Sequence, residues 1–98
     1  MTKMLTTEQW QQLDARRHLH PFTDFGDYAK KPGRIINRAE HIYIYDTDGN
    51  KLLDAMSGLW CCSLGYSQPK IAEAVSKQFQ ELPYYNNFFQ CSNAPAVE

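Results

Sequence analysis

The strongest periodicity in the chain is helical. Ile71, Val75, Phe79 and Leu82 recur at intervals of three and four, with Ala74 and Gln78 beside them, while Glu73, Lys77, Gln80 and Glu81 face away. Ser67 is expected to cap this helix, Pro69 suits its first turn, and Pro83 ends it. Glu73 and Lys77 form a favourable i,i+4 pair. A weaker helix is expected from Thr6 to Arg17. Thr6 and Gln9 have the spacing of a capping box, and Trp10, Leu13 and Arg17 share one side. Between the helices the rhythm changes. Arg34 to Arg38, Ile42 to Asp46 and Lys51 to Asp54 read as three short strands, the second β-branched or aromatic at every position before its Asp. Asp48-Gly49 supplies the positive φ of a tight turn, so the strands are expected to form an antiparallel meander. The fold class is α+β, and the apolar stripe of the last helix is expected to pack on the meander as the local core.

Four stretches fit none of these periods. In 18–25, HLHPFTDF, Pro21 disfavours helix at His20, and Phe22 and Phe25 are unusual loop residues. They suit a partner surface, a ligand pocket or a local core. Residues 55–66, AMSGLWCCSLGY, are too apolar for a free loop and too glycine-punctuated for a helix. A wet Trp60 is costly, so it is expected either in a core or on a pocket wall. In 84–89, YYNNFF, four aromatics surround two asparagines. With Phe22, Phe25 and Trp60 they give more aromatic surface than one helix and a small sheet can bury, which fits an apolar small-molecule pocket or a subunit interface. Residues 92–98 read as a helix start, with an Asn or Ser cap and Pro95 in the first turn. One turn is a nucleus without propagation, so the chain reads as part of a longer one.

Composition narrows the classes. The 98 residues carry a net charge of −1 with scattered Lys and Arg, which gives no electrostatic footprint for nucleic acid or an anionic membrane. The N-terminal stretch has no apolar signal core, and no run approaches a spanning helix. Three cysteines, two of them adjacent, make a poor disulfide framework, so a reduced, cytoplasmic compartment is expected. Cys61 and Cys62 have no base placed to activate them. Asp46-Thr47-Asp48-Gly49-Asn50 fails as a calcium loop, because Lys51 stands where Gly is needed and Ser57 where Glu is needed. His18 and His20 could ligate a metal from one face of a strand, but no nearby carboxylate or cysteine spacing completes a site. The pair is therefore expected to hydrogen-bond within a loop, and no metal is expected.

Three passages resemble one family. HLHPFTD (18–24), IYIYDTDGNKLLDAMSGLWCCSLGY (42–66) and ELPYYNNFF (81–89) are similar to the N-terminal segment of class III pyridoxal-phosphate-dependent aminotransferases, of the ω-transaminase or ω-amino acid–pyruvate type. The resemblance spans nearly the whole chain. It implies a fold type I homodimer with its active site at the subunit interface, and a substrate pair of an amine or ω-amino acid and a keto acid such as pyruvate. On that basis residues 1–33 are an extended arm, 34–82 the meander plus helix, and 83–98 an aromatic loop and helix start. By motif position, Phe22, Leu59, Trp60 and Phe88 would line the substrate pocket, with Tyr85 and Cys61 nearby. The resemblance places the lysine that carries the cofactor, the phosphate cup and the carboxylate-binding arginine downstream, so Lys51, Lys70 and Lys77 are assigned no such role and the chain alone is expected to be inactive. A small non-catalytic binding or interaction module remains the alternative at this stage.

Overall fold

The computed structural model describes residues 5–98; the first residues of the stretch read for a signal sequence, 1–4, lie outside that range. The chain divides into two compact units, Met1–Tyr66 and Ser67–Glu98, and the boundary falls inside the expected 34–82 segment.

The first unit opens with helix α1, Thr7–Arg17. Its start is the capping box expected from Thr6 and Gln9. The Thr6 hydroxyl accepts from the Gln9 amide at 3.2 Å, and the Gln9 side chain accepts from the Thr6 amide at 3.0 Å. Glu8 in the first turn and Arg16 and Arg17 in the last match the helix dipole. A second helix, α2, Phe25–Lys30, was not foreseen. Asp24 caps it by accepting from the Asp27 amide at 3.0 Å.

The sheet is the expected antiparallel meander, in the order β1 (Ile36–Glu40), β2 (Tyr43–Asp46), β3 (Lys51–Leu53). Register is set by Ala39 opposite Ile44 and Ile44 opposite Leu52, with an irregularity between Ile36 and Arg38. The first strand starts two residues later than expected, and Arg34 before it places its Nε 3.2 Å from the Asp46 carboxylate. Asp46 organises the turn. It accepts from the amides of Asp48 at 3.1 Å and Asn50 at 2.8 Å and from the Asn50 side chain at 2.9 Å. Gly49 takes φ +86°, and its amide donates to the Asp46 carbonyl at 3.0 Å. Side chains of α1 reach this region, and the Thr7 and Thr47 hydroxyls lie 2.8 Å apart. Thr7 Oγ1 donates to Asp48 Oδ1 at 2.5 Å, and Gln11 Nε2 donates to the Gly33 carbonyl at 2.9 Å.

The second unit holds α3, Pro69–Glu81, and the four-residue α4, Ala94–Val97. Ser67 does not cap α3. Its backbone is left-handed at φ +55°, and the N-cap falls on Gln68, which makes no side-chain cap hydrogen bond. Asn93 does cap α4, accepting from the Ala96 amide at 3.1 Å.

The local core expected from the α3 stripe is absent. Ile71, Val75 and Phe79 are exposed, and among the described residues no hydrophobic side chain is buried; Asp46 is the one buried residue. In the sheet, by contrast, Tyr43, Ile44 and Tyr45 of β2 and Leu52 of β3 are half-buried.

Candidate functional site

The loop after β3 is built from consecutive tight turns. The Leu59 amide donates to the Met56 carbonyl at 2.9 Å, that of Cys62 to Ser57 at 2.9 Å, and that of Gly65 to Cys62 at 2.9 Å. Four successive residues, Ser57, Gly58, Leu59 and Trp60, have φ of +48°, +58°, +54° and +77°. Left-handed backbone costs an L-residue about 1–2 kcal/mol, so this winding is held by its surroundings rather than by local preference. Glycine suits position 58 on two counts. Its φ is positive, and a Cβ there would meet Cys62 Sγ at 3.3 Å. The winding turns Leu59, Trp60 and Cys61 outward; Trp60 is 89% exposed.

The base of the loop is clasped. His41 and Tyr66 exchange backbone hydrogen bonds, 3.2 Å from the His41 amide and 2.7 Å from the Tyr66 amide. The Tyr66 hydroxyl donates to Asp54 Oδ2 at 2.5 Å, and Asp54 Oδ1 accepts from the Met56 amide at 2.9 Å. These bonds hold the Asp54 carboxyl below the usual carboxylate range, the Tyr66 hydroxyl contributing most. The same carboxylate, through its hydrogen bond to the phenol, pushes Tyr66 up to about 12.

The other pocket residues expected from sequence are presented separately. Phe22 stands fully exposed between α1 and α2 at φ +50°. In the second unit, the Phe88 amide donates to the Asn86 side chain at 3.0 Å, and the Phe88 and Phe89 rings meet edge-on at 6.5 Å. Tyr85 is half exposed, its hydroxyl 4.0 Å from Cys91 Sγ. Leu59, Trp60 and Cys61 are therefore brought together on one turn, while Phe22 comes from a different loop and Tyr85 and Phe88 belong to the other unit. Of the two places expected for Trp60, the core is excluded among the described residues. The expected aromatic surplus is met in full: Phe22, Trp60, Tyr84, Phe88 and Phe89 all face water.

Sequence reasoning also missed a cluster around Asp14. His18 Nδ1 lies 3.2 Å from Asp14 Oδ1, and His20 Nε2 lies 2.7 Å from Oδ2. The Tyr28 hydroxyl donates to the same Oδ2. A carboxylate does stand beside the histidine pair, contrary to expectation; the i,i+4 spacing of Asp14 and His18 was the available signal. Hydrogen bonds from Tyr28 first, then from His20 and His18, hold the Asp14 carboxyl below its usual range against the opposing effect of burial.

The family model of aminotransferase class-III matches residues 27–98. The chain belongs to the class-III aminotransferases. A putrescine–pyruvate aminotransferase of Pseudomonas aeruginosa is 49% identical over 92 residues, covering 94% of this chain and 20% of that relative. The crystal structure of an (S)-enantioselective ω-transaminase from Thermomicrobium roseum superposes with a TM-score of 0.88 at 25% identity, over 95% of this chain and 21% of that one. An ω-transaminase from Pseudomonas jessenii, in complex with PMP, gives 0.83 at 36% identity, over 89% and 19%. This class-III chain thus spans about a fifth of the length of the relatives it matches. Its α+β architecture is that of the N-terminal part of ω-transaminase structures of fold type I.

The class is dependent on pyridoxal phosphate, but the residues described here do not make a site for it. Lys51 Nζ lies over the Tyr43 ring at 3.9 Å, Lys30 Nζ is 3.8 Å from Asp27, and Lys70 and Lys77 project from the exposed helix α3. None stands at the clasped loop, and no step is assigned to this chain through the cofactor.

Proposed function

We propose that this chain contributes the substrate-facing wall of a homodimeric, cytoplasmic ω-transaminase, which moves an amino group from an amine or ω-amino acid to a keto acid such as pyruvate. Leu59, Trp60 and Cys61 on the clasped turn, with Phe22, Tyr85 and Phe88, would bound the space offered to the amine substituent. Pyridoxal phosphate, held by other parts of the enzyme, supplies the electron sink for the amino transfer. The residues of this chain act by exclusion and shape. Apolar aromatic side chains keep water from the amine and set how bulky a substituent fits.

One observation carries this reading. A costly left-handed winding, clasped by Asp54 and Tyr66, presents a tryptophan to the outside rather than to an interior. A self-standing binding module needs an interior of its own, and the described residues have none. The family membership and the 49% identity to a putrescine–pyruvate aminotransferase supply the reaction class.

The test is a chimera in which these 98 residues replace the matching segment of the Pseudomonas aeruginosa relative. It is expected to convert putrescine and pyruvate. Trp60→Ala is expected to shift the ratio of kcat/KM between a bulky aryl-substituted amine and putrescine by about ten-fold or more towards the bulky amine. Lys70→Ala on the solvated face of α3 should leave the ratio unchanged. An active chimera whose ratio ignores both Trp60→Ala and Phe88→Ala would rule the wall out.

A further inference from the structure

The geometry points to a divalent-cation site of the two-histidine, one-carboxylate type at Asp14, His18 and His20, suited to zinc or a neighbouring late first-row metal. The three donor atoms come from the last turn of α1 and the loop that follows it, and all lie within 4.8 Å of one another. A cation bound at about 2.0–2.2 Å from nitrogen and oxygen needs donors about 3–3.5 Å apart. The carboxylate stands 3.2 Å from His18 Nδ1 and 2.7 Å from His20 Nε2, so small side-chain rotations suffice. The two imidazoles are tilted by 48° with centroids 4.2 Å apart, and each directs a ring nitrogen at the same carboxylate.

The surroundings match such a centre. Tyr28 donates to Asp14 Oδ2, the kind of outer hydrogen bond that fixes a ligating carboxylate. Asp14 and His20 are 14% and 24% exposed, whereas His18 is 59% exposed. The site is thus closed on one side and open on the His18 side, which provides an approach and leaves further coordination positions to water. Without a cation the three side chains satisfy one another. On binding, each histidine uses the nitrogen that faced Asp14, and its proton resides on the other ring nitrogen, so the imidazole stays neutral. Two imidazoles and one carboxylate favour zinc, cobalt, nickel or copper over calcium and magnesium, which prefer oxygen alone. The bound cation would fasten the end of α1 to the loop that presents Phe22.

Zinc is titrated into the chimera described above, by calorimetry and by NMR of the imidazoles. One equivalent is expected to bind, shifting His18 and His20 and leaving His41 unmoved. Asp14→Asn is expected to weaken the affinity about ten-fold or more, and His20→Ala at least as much, whereas His41→Ala changes nothing. Tyr28→Phe, which keeps all three donors, is expected to weaken binding by a smaller factor. Two outcomes overturn the proposal. One is the absence of saturable binding in the chimera at up to about 100 μM zinc, which corresponds to a Kd weaker than about 100 μM. The other is an affinity unchanged by Asp14→Asn, which would mean that the histidine pair binds alone.

Discussion

Presented alone in dilute solution, this chain is expected not to persist as a folded monomer. A folded monomer of its mass, 11.4 kDa, exposes about 5,800 Å². The structure exposes 9013 Å², an excess of about 3,200 Å² over that expectation. Net stabilities of single domains are only about 5–15 kcal/mol, and the described residues bury no hydrophobic side chain to supply that margin. The perturbation is simply isolation of the 98 residues at micromolar concentration. Light scattering behind a sizing column, dye binding to exposed apolar surface and thermal denaturation followed by circular dichroism provide the readout. Associated species, strong dye binding and a broad, shallow melt are expected. A monodisperse monomer with a steep, reversible, cooperative transition would refute the reasoning, because it would require an interior that the structure lacks.

Three further outcomes follow from the geometry, all measured in the chimera. Gly49→Ala should cost about 1 kcal/mol, because φ is +86° and a Cβ would touch nothing within 4 Å; hydrogen exchange across 46–53 should quicken about five-fold, and no change would contradict the backbone argument. Asp46 lies below its usual value of 3.8, the Asn50 side chain contributing most. A depressed folded-state pKa means that its stabilisation is present above the unfolded value and is lost as pH falls through the folded one, so the 46–50 turn should open in acid below about pH 4, and Asp46→Asn should abolish that dependence. Tyr66 is raised to about 12 by the Asp54 carboxylate. Its contribution is complete below the ordinary phenol range and is lost as pH rises through about 12, so the difference between the ultraviolet titrations of the parent and Asp54→Asn should show a late phenol returned to the ordinary range.

The elements with local codes were legible in the sequence. Thr6 and Gln9 mark a helix start by spacing alone, Asp48-Gly49 marks the hairpin, and Asn93 with Pro95 marks α4. Helix α2 was not, because six residues containing Gly26 carry too little periodicity, and its one signal, an Asp24 cap, sits inside a stretch dominated by Pro21 and two phenylalanines. The N-cap falls on Gln68 rather than Ser67 because an N-cap residue has extended backbone, and Ser67 is left-handed. Of the candidate site, the aromatic surplus was readable from composition. The clasp was not, since it joins Asp54 to Tyr66 across twelve positions. The Asp14 cluster needed α1 to end at Arg17 before the carboxylate could meet both histidines.

The left-handed run from Ser57 to Trp60 also bears on redesign of this enzyme class. At these positions the backbone screens a replacement before its side chain reaches any amine. β-Branched residues would be eliminated at 59 and 60 whatever volume they offer, whereas glycine and asparagine would survive. Diversity introduced there is therefore filtered twice, and a library weighted by side-chain size alone would spend most of its members on the wrong filter.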